Sequence, residues 1–502
     1  MHALLYGGSE RPSTGDASTL PHHKSAVVNY IRAYGAHKIA TSLRDKDWDV
    51  EVLDFLPAWT LSQLQEYTSK RVTNKTKFFG FGLTFRPISN NYVNLINDLI
   101  VWMRQEYPDV KILAGSQNYV AIADLNADYH LLGWAENAIE ECLNGNLLHF
   151  KQFNDHLILD CNEKYPAYPR LRLAAEYEDR DYIRKDEPLH LELARGCRFK
   201  CTFCAFPVLG VKGDYTRSSE DFENELKINY EKWGTTKYIL TDETVNDSPE
   251  KIKKFADVVR KLKFKPSMAG FARGDLAVVH KDHWNDYIDL GFTQHHYGIE
   301  TFNEPSMKFI RKAMSVDKLK DGLLNMHEYF STRSFYKGHI SLIAGLPNDT
   351  TDTLDQTVSW VRQYWHSRKN STSMYALQIK SQYFAGHDTH SDLDKGCEKY
   401  GYREMTPEEY AAIVPPDHPK ILGNMYWIND KDKTNWWQMQ EYTQRFYNET
   451  TKEQGLPIWA VPYWQMLYSN EKIKEMNGVP FSWYLPEDFV SEIVQDYISQ
   501  KL

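Results

Sequence analysis

The sequence predicts an α/β protein: a doubly wound parallel sheet, then a partial (βα)6 barrel, then an aromatic-rich, mainly helical extension. Three observations carry this. Short apolar strands alternate with helical patterns over residues 1–145 and again over residues 186–385, and such alternation implies parallel sheets. After residue 385 the alternation stops and Trp427, Trp436, Trp437, Trp459, Trp464 and Trp483 crowd together. A chain of 502 residues is also too long for one core and is expected to divide.

In the first stretch the apolar run Ala3-Leu4-Leu5-Tyr6 ends in Gly7-Gly8. A polar loop of about twenty residues follows, long enough to suggest a function of its own. Ser25 is placed to cap a helix in which Val27, Val28, Ile31, Ile39 and Leu43 recur at helical spacing. His22 and His23, in that loop, read as solvated side chains. Residues 49–55, 78–84, 110–115 and 127–133 read as four further strands, with a helix between the second and third of them carrying Val93, Ile96, Leu99, Ile100 and Met103. In such a sheet ligands bind outside the carboxyl ends of the strands. Gly7, Thr84, Gly115, Ser116, Gln117 and Gly133 all fall there, and small residues let a large flat ligand approach the backbone.

Residues 146–185 are polar, rich in Tyr, Arg and Asp, and read as a connector. The alternation then resumes with six strand candidates: 189–194, 238–241, 267–272, 294–299, 339–344 and 374–379. Six βα units make a partial barrel whose active face lies at the carboxyl ends of its strands.

The first of these strands runs into Arg195-Gly196 and then Cys197, Cys201 and Cys204, a C-x3-C-x2-C spacing on the loop leaving a strand. Thiolates are preferred ligands of iron–sulfur clusters and zinc. A structural zinc site closes with a fourth Cys or His nearby. No such partner follows, and His190 lies within the strand. Three ligands on a four-iron cluster leave one iron open, as in a catalytic metal site. Cys142, Cys161 and Cys397 are scattered singly and read as isolated reduced thiols of a cytoplasmic protein.

This spacing, with Phe203 just before the last cysteine, resembles the radical S-adenosylmethionine (SAM) superfamily. The resemblance implies a [4Fe–4S] cluster whose open iron chelates the amino and carboxylate groups of SAM. It implies cleavage of SAM to a 5′-deoxyadenosyl radical, with electrons from a donor such as flavodoxin or ferredoxin. Thr241-Asp242-Glu243 stands where relatives meet the SAM ammonium, and Ala272-Arg273-Gly274-Asp275 ends the third strand. Gly298-Ile299-Glu300-Thr301 resembles the segment that reaches the ribose hydroxyls. Ile343-Ala344-Gly345-Leu346-Pro347 resembles the one lining the adenine pocket. Phe203, Asp242, Glu243, Arg273, Glu300, Ile343 and Gly345 are the SAM contacts so implied. A plain reading stands beside each, such as Asp349 or Thr350 capping the next helix.

The α/β stretch ahead of the barrel looks like the cobalamin-binding domain of cobalamin-dependent radical SAM enzymes. That resemblance implies cobalamin at Gly7, Thr84, Gly115, Ser116, Gln117 and Gly133, and methyl transfer to an unactivated carbon. The D-x-H-x-x-G motif that supplies a cobalt-ligating histidine in many cobalamin proteins is absent, and ILAGSQN stands where relatives carry a double glycine. A radical rearrangement or cyclisation without cobalamin is the alternative on the same scaffold. A structural or regulatory iron–sulfur protein would leave the ordered strand-end segments unexplained. Methylthio transfer is disfavoured, since the first domain lacks cysteines grouped for a second cluster.

Composition narrows the partners. Net charge is −9 without a long Lys/Arg run, so no nucleic-acid patch is expected. No apolar stretch approaches the ~20 residues of a membrane helix, and the N-terminus lacks the pattern of a signal peptide. The aromatic residues of 386–502 either cap the barrel and shape a substrate pocket or form the core of the extension itself. The substrate is not legible.

Overall fold

The computed structural model describes residues 1–8, 32–83, 90–116, 122–153, 155–161, 173–204, 216–312, 314–380, 391–416, 418, 424–450, 453–454 and 492–502. Ser25, Val27, Val28, Ile31, His22, His23, Thr84, Gln117, Trp459, Trp464 and Trp483 lie outside the described residues. The chain divides into two compact units. The first comprises Met1–Glu187, Glu231–Gly234 and the end of the chain, and the second Pro188–Tyr230 and Thr235–Pro462.

The first unit is built on β1 (His2–Gly7), β2 (Asp49–Leu53), β3 (Thr76–Gly82), β4 (Lys111–Ser116), β5 (Tyr129–Leu132), β6 (Lys151–Phe153) and β7 (His156–Asp160). They lie in the order β2-β1-β3-β4-β5-β7-β6. All neighbours are parallel except the β6–β7 hairpin. The order reverses between β1 and β3, so the sheet is doubly wound about that point. Period-two burial explains its two faces. Ala3 and Leu5 pack with Ala36, Ala40 and Leu43 of helix Tyr34–Arg44, whereas Tyr6 turns to the other face and meets Tyr67 of helix Leu61–Arg71 edge-on at 6.0 Å. That second helix starts cleanly because Thr60 and Gln63 form a reciprocal capping box.

Two boundaries expected from composition are corrected. The stretch 146–185 is not only a connector: the apolar run Leu157-Ile158-Leu159 forms β7 and extends the sheet. The extension 386–502 does not stay together either. Helix Glu492–Lys501 belongs to the first unit, where Tyr497 Oη accepts from the Asp54 amide at 2.9 Å and the buried Lys501 ammonium meets Glu51 at 3.2 Å.

The second unit is a single parallel sheet of β8 (Leu189–Leu191), β9 (Lys237–Leu240), β10 (Ser267–Arg273), β11 (Phe292–Glu300), β12 (Lys337–Ala344) and β13 (Ser371–Ala376), in sequential order. This is the expected partial barrel, each of its first five strands followed by helix, with Ser248 and Thr350 capping the helices after β9 and β12. Its extension is a three-stranded antiparallel sheet (Tyr402–Glu404, Trp427–Asn429, Thr434–Asn435) and helix Trp436–Thr450. Trp427 and Trp436 are buried there, and the Trp427 indole donates to Leu377 O at 2.9 Å. These aromatic residues therefore form the core that attaches the extension to β12 and β13.

Candidate active site

In the second unit the carboxyl ends of β8–β12 gather the groups that the motif spacing singled out. β8 continues through Leu193 and Ala194 to Gly196, whose φ of +79° turns the chain into the cysteine loop. Cys197, Cys201 and Cys204 are all partly exposed, and Cys204 N donates to Cys201 O at 3.1 Å across the turn that also carries the half-buried Phe203. Burial pushes the Cys197 thiol up, and the neighbouring Cys201, Glu243 and Asp247 act in the same direction. Among the described residues no three His, Cys, Asp or Glu side chains are grouped as they would be around a metal ion. The donor set itself fits a cluster: three soft thiols on one exposed turn, beside a cation. The Arg273 guanidinium lies 3.9 Å from Cys201 Sγ and 4.1 Å from the Phe199 ring centroid. A bound metal would remove the thiol protons, and Arg273 would favour the resulting negative charge.

Asp242 is nearly fully buried, and its two oxygens accept from the backbone amides of Leu193 and Ala194, both at 2.8 Å. It ties the end of β9 to the start of the cysteine loop. Burial pushes its carboxyl up to about 7, with the Glu192 carboxylate adding to this and Lys251 and the two amides opposing it. Glu243, half-buried beside it, is likewise pushed up to about 7, by burial first and then by Asp242 and Glu192. Of the pair, Glu243 is the less buried, and its charge acts on the Cys197 thiol.

Arg273 is braced by Asp275 through bonds of 3.0 and 2.5 Å. Glu300 sits past an irregularity in the β11–β12 register with φ +70°, where the buried Lys312 ammonium reaches both its carboxylate, at 3.0 Å, and Gly298 O, at 2.5 Å. Ile343 is half-buried, one residue before the end of β12. Gly345 turns with φ +94°, and a Cβ there would lie 2.8 Å from Trp427 and 2.9 Å from Met439. Asp349 holds this turn by accepting from Gly345 N and Leu346 N, so it is Thr350 that caps the following helix.

The inner face of this sheet carries polar residues that motif reading missed. On β11, His295 and Tyr297 turn outward to Phe330 of helix Val316–Ser331 and to Tyr336. His296 turns the other way, to Phe271, His339 and Ser341. The available signal was period two in β12, where His339 and Ser341 alternate with Ile340 and Leu342.

In the first unit, the candidate positions separate. A Cβ on Gly7 would lie 2.2 Å from Ala33 Cβ, so this glycine admits the entry to helix Tyr34–Arg44. Gly115 has open space among the described residues, the nearest atom to an added Cβ being Leu131 O at 3.9 Å. Ser116 is buried and its carbonyl accepts from Gly133 N at 2.8 Å, where φ of +85° bends the chain out of β5. Gly115, Ser116 and Gly133 thus meet on the carboxyl edge of β4 and β5, where Gly115 leaves room among the described residues.

A family model described as the radical SAM superfamily matches residues 191–361, which include the cysteine loop and the strand ends after β9 to β12. No curated protein matches the chain. Among solved structures, the radical SAM methyltransferase TsrM from Kitasatospora setae, with tryptophan substrate and a SAM analogue bound, is 11% identical over 95% of this chain and 99% of its own, at a TM-score of 0.59. TsrM with cobalamin and a [4Fe–4S] cluster bound gives 11%, 91%, 91% and 0.61. OxsB, a cobalamin-dependent SAM radical enzyme, with aqua-cobalamin bound, is 11% identical over 100% of this chain and 78% of its own, at 0.56. No helix among the described residues is long and apolar enough to cross a membrane. Residues 191–361 thus match the radical SAM superfamily, and the fold of the chain is similar to those of TsrM and OxsB.

Proposed function

We propose that this radical SAM enzyme binds cobalamin and transfers a methyl group to an unactivated carbon. The observation that carries the reading is the order of parts in one chain: a doubly wound sheet with Gly115 and Gly133 at the carboxyl edge of β4 and β5, then a six-stranded barrel with a three-thiol loop at its first strand end. The likeness in fold to TsrM and OxsB supports it. When bound, the cluster with SAM supplies a 5′-deoxyadenosyl radical and cobalamin a transferable methyl group.

The chain's own residues bind and orient. Cys197, Cys201 and Cys204 would hold the cluster, with Arg273 beside Cys201 offsetting thiolate charge. Asp242 fixes the loop through the amides of Leu193 and Ala194. Glu243 would pair with the SAM ammonium, Glu300 with the ribose hydroxyls, and Phe203, Ile343 and Gly345 would line the remainder. Gly115, Ser116 and Gly133 would let the corrin's nucleotide tail pass along the sheet edge. A flavodoxin- or ferredoxin-type donor would reduce the cluster in the cytoplasm.

The test is incubation of cluster-intact protein with hydroxocobalamin, followed by desalting. A retained corrin spectrum is expected. Its absence would leave the cobalamin-free radical rearrangement as the reading.

A further inference from the structure

Two residues along a strand span about 6.6 Å, so the inner face of the barrel sheet is layered below the cysteine loop. The upper layer holds Arg273, next to Cys201, paired in register through Gly298 to Ser341 and Ser373. The layer beneath holds Phe271, His296, His339 and Ser371, again in register. The upper layer is the one that reaches the cysteine loop, through Arg273.

Their side chains form one hydrogen-bonded chain. His339 Nδ1 meets Ser371 Oγ at 2.8 Å and its Nε2 meets Ser373 Oγ at 2.9 Å. Ser373 Oγ meets Ser341 Oγ at 3.0 Å, and Ser341 Oγ meets His296 Nε2. Each neutral imidazole has one donor and one acceptor, so the chain has two self-consistent directions. In one, His296 Nε2 donates to Ser341. In the other, it accepts, and all hydroxyls reverse. A barrel floor of this kind adapts to a donor or an acceptor. Burial keeps His296 neutral, its pKa being pushed down to about 3. The cation of the upper layer, Arg273, is already braced by Asp275.

Next to this chain stands an apolar plate. Phe271 lies mid-strand on the inner face and is 41% exposed, although its neighbours on β10 are buried. Its ring is 4.4 Å from the His296 ring, tilted at 42°. An exposed aromatic ring inside a barrel, backed by a neutral hydrogen-bonding chain, matches a planar group with one polar edge. Among the described residues this layer offers a charged group no counter-ion, so such a group would be desolvated at a cost.

Resting on the reading of this chain as a radical SAM enzyme, we propose that the inner layer of Phe271, His296, Ser341, Ser373 and His339 is the substrate-recognition floor, and that the substrate presents to it an uncharged, planar, hydrogen-bonding group such as a heteroaromatic ring or a conjugated amide.

The test is equilibrium binding of small probes, by calorimetry, to anaerobically reconstituted enzyme with SAM bound. Indole and nicotinamide are the neutral planar probes, benzoate and benzamidine the charged ones, and cyclohexanol lacks the plane. Saturable binding of indole or nicotinamide is expected, at least tenfold tighter than the other three. Phe271→Ala and Ser341→Ala should each erase that preference. Where circular dichroism shows that an alanine variant has lost its fold, Phe271→Leu and Ser341→Cys take its place with the same expectation. Equal binding of charged and neutral planar probes, no saturable binding of either neutral probe, or an unchanged preference in the folded variants would overturn the assignment. Release of 5′-deoxyadenosine by the reduced wild-type enzyme is measured alongside. Its failure would remove the underlying reading, whereas release together with failed probe selectivity would remove only the substrate class.

Discussion

Asp242→Asn separates two roles for a residue at the second strand end of the barrel. In the structure both carboxylate oxygens accept backbone amides of the cysteine loop's root, at 2.8 Å each. Asparagine keeps one acceptor and turns an NH2 group toward the other amide. One charge-assisted bond is lost, at about 1.5–3 kcal/mol, and one buried N–H is left unpaired, at about 1–3 kcal/mol. Removing a buried carboxylate that burial already disfavours offsets part of this. The net cost is about 2–4 kcal/mol, or a fall in midpoint of about 4–7 °C for a unit of this size. Thermal unfolding followed by circular dichroism reads that shift, and iron content after reconstitution reads the placement of the cysteines. Both should fall. A variant that keeps the parent's midpoint and iron content, and loses only SAM affinity, would refute the clamp and return Asp242 to direct contact with SAM.

Replacing Cys197, Cys201 or Cys204 by Ala should abolish the visible absorbance of the reconstituted cluster. The same change at the buried Cys142, Cys161 or Cys397 should leave it intact, as quantified by iron analysis. Gly115→Trp, at a position with open space, should abolish corrin retention with unchanged iron content, whereas Gly7→Ala should lower the unfolding midpoint because its methyl group meets Ala33. For Glu243, the folded pKa of about 7 lies above the usual 4.5. Its contribution to stability is therefore present below pH 4.5 and is lost as pH rises through about 7, whereas its attraction for a cation grows over the upper part of that range. SAM affinity measured by calorimetry should rise between pH 6 and 8 in the parent and stay flat in Glu243→Gln.

The sequence by itself determined both parallel sheets and the thiol loop. Period-two and helical hydrophobic patterns are local, and so is C-x3-C-x2-C, in which three ligands fall within eight residues. All six barrel strands and five of the first sheet's strands could be read this way. What joined distant residues was decided only by the tertiary structure. Asp242 meets amides 48 and 49 residues away, and Tyr497 meets an amide 443 residues away. Gly7 answers to Ala33 across the sheet face. The His–Ser chain needs three strands in register before any of its members has a partner. Each depends on which side chains face one another after the strands have paired, and hydrophobic periodicity sets the face of each residue without naming its neighbour.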